Sequence, residues 1–296
     1  MKSLPALIFG VMAMATCAMA EPASVGDYMA QPQVQSDVRI AYGPGPAQVA
    51  DLFLPKGRGP FPVVVLIHGG CYLAEYQGLA QTSGIAADLA RRGYAVWNID
   101  YRKLGEAGAG YPGSFLDIAD AVDRIRNEAG RYHLDARRVV ALGHSAGGHL
   151  ALWAAGRAKL PKSSPLWRAD PLSIRAVVSL GGIGDLAGQG EVFGGACGQT
   201  AIPLIIGQAG RDNPYADTSP AELLPLGVRV TMISGEFDRV MPPATGRDFV
   251  ERLRKAGDSA KAMAIPGAGH FEVVMPATAA WTVVAGVVAR EIAALN

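Results

Sequence analysis

Three residues of this chain combine reactive side chains with the positions such side chains need. Ser145 stands in Gly143-His144-Ser145-Ala146-Gly147-Gly148, after the apolar run Arg138-Val139-Val140-Ala141-Leu142 and before the helix-like stretch His149-Leu150-Ala151-Leu152-Trp153-Ala154-Ala155. Glycines on both sides suit a sharp strand-to-helix turn, where the crossing backbone leaves no room for a Cβ. A hydroxyl displayed there attacks a carbonyl only after a base takes its proton and an acid orients that base. Asp238, in Gly235-Glu236-Phe237-Asp238, and His270, in Pro266-Gly267-Ala268-Gly269-His270, supply acid and base. The order Ser, Asp, His and the place of each after an apolar run point to acyl transfer.

The negative charge that develops on a carbonyl oxygen in such a reaction needs preorganised donors. Gly69 and Gly70, after the apolar run Val63-Val64-Val65-Leu66-Ile67, offer bare backbone N–H groups, and the Ala146 N–H starts the helix after Ser145. His68 reads as a brace for this loop rather than a base. Plainer readings exist for each residue taken singly. Asp238 would cap a helix over 243–256, His270 would be a loop histidine bonded to backbone, and Gly-x-Ser-x-Gly arises by chance in a chain with 37 glycines. Asp212 and Asp217 are alternative acids, without a strand before them. His144 and His149 are off the i,i+4 spacing of paired ligands on one helix face, so no metal is expected. The glycines of 105–113 and 181–198 lack the strand–turn–helix context of a dinucleotide site, so no nicotinamide cofactor is expected either.

The elements that must position these residues alternate. Strands are expected near 37–42, 47–54, 63–67, 94–99, 138–142, 174–180, 228–234 and 260–265. Helices are expected near 76–92, from Ser114 as cap, from 149, over 243–256 and over 277–293. Such alternation implies a mostly parallel sheet with helices on both faces. Residues 182–226, rich in Gly and Pro, read as a small irregular cap insert over the catalytic face. Tyr72, Phe193 and Tyr215 are candidates to line a substrate pocket there.

With 296 residues, 50% hydrophobic and 18% charged, the chain suits one α/β domain. Met1-Lys2, an apolar stretch from Leu4 to Ala15 and Ala18-Met19-Ala20 read as a signal peptide over 1–20, cleaved after Ala20. Residues 21–36 then read as a flexible leader and 37–296 as the domain, in a periplasmic or secreted protein. Loss of Lys2 balances the 27 basic against the 26 acidic residues, which gives no electrostatic case for nucleic acid or stable membrane association. Two of the three cysteines remain, Cys71 and Cys197. In an exported chain an even count favours a disulfide, the alternative being two buried thiols.

His68-Gly69-Gly70, Asp100-Tyr101-Arg102, Gly143-His144-Ser145-Ala146-Gly147-Gly148, Asp238 and His270 together resemble the esterase/lipase branch of the α/β-hydrolases. The chain is similar in particular to its feruloyl-esterase-like, kynurenine-formamidase-like and hormone-sensitive-lipase-like members, over about residues 45–290. The resemblance implies an α/β-hydrolase fold, a Ser145–Asp238–His270 triad, an oxyanion hole of Gly69, Gly70 and Ala146, and structural roles for Asp100 and Arg102. Cys71 stands where the lipase relatives carry a third glycine, and Tyr72 where the formamidases carry tryptophan. The expected function is a serine carboxylic ester hydrolase, acting through an acyl-enzyme on small to medium esters without a cofactor. The rivals are an amide hydrolase, either a formamidase or a small-peptide hydrolase, and a non-catalytic binding protein on the same scaffold.

Overall fold

Eight strands form a single sheet in the computed structural model, which describes residues 21–295. The expected signal peptide, residues 1–20, lies outside the described residues. The strands are β1 (Val38–Ala41), β2 (Val49–Phe53), β3 (Phe61–Ile67), β4 (Ala95–Ile99), β5 (Leu134–His144), β6 (Ala176–Leu180), β7 (Arg229–Gly235) and β8 (Ala260–Ile265). Their spatial order is β1-β2-β4-β3-β5-β6-β7-β8. The β1–β2 and β2–β4 pairs are antiparallel, and every other pair is parallel. Parallel strands need crossovers, and the helices expected between the strands supply them.

The apolar run of β3 divides between two cores. Val63, Val65 and Ile67 belong to one hydrophobic cluster, Val64 and Leu66 to the other. Successive strand side chains point to opposite faces, so a continuous apolar run is what burial on both faces requires. On one face lie α2 (Ser83–Arg91) and α8 (Ala279–Ala293). On the other lie α3 (Gly113–Tyr132), α4 (Ala146–Gly156) and α7 (Pro243–Lys255). Helix α4 is buried nearly all round, Ala146 through Ala154 being inaccessible or almost so. Each large apolar side chain removed from water in these layers contributes about 1.5–3 kcal/mol.

Three expectations need correction. Residues 21–36 are not a loose leader throughout. Ser24 and Asp27 form a reciprocal capping box that starts α1 (Val25–Met29), and Tyr28 of that helix is buried. Its ring stacks on Phe271 at 5.3 Å. The segment 182–226 is not irregular: it holds α5 (Leu186–Cys197) and α6 (Ala201–Ile205). Gly and Pro mask its periodicity, and its helical face packs on the core through Leu186 and Phe193. Ser114 does not cap α3. It lies inside that helix, where its hydroxyl donates to the Arg102 carbonyl at 2.5 Å and accepts from the Gly110 N–H at 2.9 Å.

Candidate active site

Ser145 joins β5 to α4 with φ 52° and ψ −121°, a backbone state that side chains rarely adopt. The turn is fixed by near-contact of backbones. A Cβ on Gly143 would lie 2.1 Å from the Gly147 carbonyl oxygen, and one on Gly147 would lie 2.2 Å from that of Ile67. The Ser145 N–H donates to the Leu180 carbonyl at 2.8 Å, tying the turn to β6. The positive end of α4 therefore begins at the serine.

Asp238 follows β7 and His270 follows β8, both buried. Asp238 Oδ2 lies 2.8 Å from His270 Nδ1. Asp238 Oδ1 accepts from the N–H groups of Val240 at 2.9 Å and Met241 at 2.8 Å, so one oxygen orders the turn toward α7 and the other faces the imidazole. The helix-cap reading does not hold: α7 starts after Pro242 without a side-chain cap, and Asp238 bonds only the turn before it. An Nδ1–H donated to Asp238 leaves His270 Nε2 as proton acceptor. Ser145 and His270 line one cavity of about 300 Å³. Three larger clefts among the described residues, of about 550, 620 and 530 Å³, lie elsewhere and contain none of these residues.

The loop after β3 runs against the serine. A Cβ on Gly69 would sit 3.1 Å from the Ser145 Cβ, and Gly70 takes φ +100°. Cys71 and Tyr72 continue with φ 54° and 63°. His68 braces the loop, its ring nitrogens 2.8 Å from the Gly69 carbonyl and 3.0 Å from Asp100 Oδ1, its face stacked on Tyr101. Burial opposes ionisation of Asp100, but the His68 hydrogen bond and the charges of His68 and Lys103 outweigh it and hold the carboxyl down at about 2. Arg102 grips both oxygens of Asp117 through one guanidinium edge, Nε at 2.8 Å and Nη2 at 2.7 Å. Both Asp100 and Arg102 therefore fix loops.

His144 and His149 are buried and neutral-favouring. Burial, then the nearby His270, push His144 well below its ordinary value. Its Nε2–H donates to the His270 carbonyl at 3.0 Å. Burial takes His149 down to about 4, against the pull of its Thr218 hydrogen bond. The Nε2–H of His149 donates to the Thr218 carbonyl at 2.8 Å and its Nδ1 accepts from the Tyr72 hydroxyl at 2.9 Å.

The structure pairs Cys71 with Cys197, Cα to Cα 5.4 Å. The bond pins the end of α5 to the loop of Gly69 and Gly70, and Ala196 lies on the cavity wall. The three aromatic pocket candidates do not line that wall. Tyr72 is fully buried against His149, Phe193 packs on Tyr72 at 5.6 Å, and Tyr215 packs against the core. Asp217, one alternative acid, bonds Arg211, Tyr111 and Ser164 within the insert and its surroundings. The wall comes instead from Val25, Tyr28 and Met29, from Tyr76 and Gln81, and from Val240 and Phe271. For α1 a signal was present, since Ser24-Val25-Gly26-Asp27 has the Ser-x-x-acid form of a helix start.

The family model BD-FAE matches residues 50–253. The chain belongs to the BD-FAE family. It is similar to Esterase LipC of Mycobacterium tuberculosis, 28% identical over 245 residues, covering 78% of this chain and 59% of that protein. It is also similar to a probable isoprenylcysteine alpha-carbonyl methylesterase ICME of Oryza sativa subsp. japonica, 25% identical over 248 residues, with 80% and 58% covered. The chain thus spans less than two thirds of the length of these relatives. Among solved structures, a truncated carbohydrate esterase from gut microbiota superposes with a TM-score of 0.72 at 21% identity, over 88% of this chain and 97% of that one. At that identity the likeness carries the fold, which is that of the α/β-hydrolases.

Proposed function

We propose that this BD-FAE member is a serine carboxylic ester hydrolase. One observation carries the reading: His270, held by Asp238 at 2.8 Å, and the strained Ser145 turn line one cavity. In the first half-reaction Ser145 Oγ attacks the ester carbonyl carbon while His270 Nε2 takes the hydroxyl proton. The backbone N–H groups of Gly69, Gly70 and Ala146 receive the oxyanion. Collapse breaks the bond to the alkoxide, which leaves with the proton from His270. In the second half-reaction His270 deprotonates a water that attacks the acyl-serine, and the acid departs as Ser145 regains its proton. Asp238 holds the tautomer and stabilises the imidazolium.

The cavity of about 300 Å³ suits small to medium esters. The esterase names of the relatives support an ester over an amide, and the complete set of reacting groups weighs against a purely binding role. We further propose that the protein works outside the cytoplasm, a reading supported by the sequence of residues 1–20 and by the Cys71–Cys197 bond. Hydrolysis of a short p-nitrophenyl ester, with a fluorophosphonate probe on the same preparation, tests the reading. Activity and labelling should both vanish in Ser145→Ala; full activity in that variant overturns it.

A further inference from the structure

Five buried side-chain atoms lack a hydrogen-bond partner among the described residues: Tyr28 Oη, Gln81 Nε2, His144 Nδ1, Arg157 Nε and Ser179 Oγ. The first three belong to residues that line the Ser145 cavity. Each of those residues is more than nine-tenths buried, with relative exposures of 2%, 7% and 2%. An unmet buried donor or acceptor costs about 1–3 kcal/mol, so three on residues around one cavity call for partners.

The three differ in chemistry and in place. Gln81 Nε2 is a donor beside the oxyanion-side loop, since a Cβ on Gly70 would come within 3.3 Å of it. His144 donates through Nε2, so its Nδ1 is an acceptor, and a Cβ on Gly69 would come within 3.0 Å of it. The Tyr28 hydroxyl can give or take, and burial raises its ionisation far above the ordinary value, keeping it protonated. Tyr28 stacks on Phe271, whose ring meets that of His270 edge-on at 5.1 Å. In acyl transfer His270 hands its proton to the departing alkoxide, which puts Tyr28 on the side of the alcohol half. Gln81 lies instead beside Gly70 of the loop after β3 and is assigned by elimination to the acyl half.

We infer that Gln81 and Tyr28 are specificity-determining residues that select esters carrying a hydrogen-bonding oxygen in addition to the ester group. The inference rests on the hydrolase reading above. A substrate with such an oxygen meets a donor that a plain alkyl ester leaves unpaired, and discrimination of this type is stronger than discrimination by an extra methylene. The oxygen can sit on either half of the ester.

Two matched substrate pairs separate the halves. In the acyl arm, phenyl 3-hydroxybutanoate is compared with phenyl butanoate for the native protein and Gln81→Met. In the alcohol arm, 2-hydroxyethyl butanoate is compared with propyl butanoate for the native protein and Tyr28→Phe. The native protein should prefer the oxygenated ester by roughly tenfold in kcat/KM in at least one arm, and the matched variant should bring that ratio close to one. Because each ratio is internal to one variant, a lower folded fraction cancels from it. Equal rates for the native protein in both arms, or a preference untouched by its matched variant, would overturn the inference. If fluorophosphonate labels Ser145 while the ratios stay at one, this inference alone fails; if Ser145→Ala keeps full activity, the hydrolase reading fails.

Discussion

Asp238 Oδ2 lies 2.8 Å from His270 Nδ1, and the other oxygen of the same carboxylate is committed to the N–H groups of Val240 and Met241. The carboxylate cannot rotate away from the imidazole without breaking the turn that leads to α7. Packing thereby fixes which histidine nitrogen carries the proton.

Asp238→Asn should keep the turn, because an amide oxygen can still accept from Val240 and Met241. The amide nitrogen then faces His270 Nδ1 and favours the wrong tautomer. On the proposed mechanism kcat falls by about 10⁴. Steady-state kinetics, with circular dichroism to establish the fold, check this; a loss below tenfold would assign the acid role elsewhere.

Gly143→Ala and Gly147→Ala place a methyl group about 2 Å from a backbone carbonyl oxygen, Gly147 in the first case and Ile67 in the second. Neither contact can relax by a side-chain rotation. Each variant should lose about 3 kcal/mol or more, or fail to accumulate as soluble protein. Urea midpoints that match the native value would contradict the turn geometry.

Acid should destabilise the protein in two windows. His149 has its folded value lowered from 6.5 to about 4, so the unfolded chain binds the extra proton first and stability drops as pH falls from 6.5 toward 4. His144 acts in the same direction. Asp100, lowered from 3.8 to about 2, adds its loss only below 3.8. The slope from one such histidine is at most about 1.4 kcal/mol per pH unit. Urea midpoints between pH 4 and 7 measure it, and His149→Gln should flatten the upper window; a native midpoint constant over that range would contradict the burial argument.

Replacing both Cys71 and Cys197 by serine should cost about 2–5 kcal/mol, because the bond closes a sequence separation of 126 residues in the unfolded chain. It should also raise KM on the proposed reaction, since the bond holds the loop of Gly69 and Gly70 and the wall residue Ala196. Alkylation without reduction tests the pairing directly. A native protein in which both cysteines alkylate at once would refute it.

The chain by itself determined the sheet, the turn and the order Ser145, Asp238, His270. Each of these follows from local rules: the two-face burial of Val63 through Ile67 needs an unbroken apolar run, and the Ser145 turn tolerates only glycine at 143 and 147. Strand ends then place Asp238 and His270 on the same edge of a parallel sheet, so their meeting was legible from order alone. The cavity wall was not. Tyr28 and Gln81 reach Ser145 from segments whose own periodicity gives no direction toward it, while Tyr72, beside the glycines in sequence, turns at φ 63° into the core and bonds His149. Which face of a loop residue meets the cavity depends on what packs behind it, and only the assembled layers supply that partner.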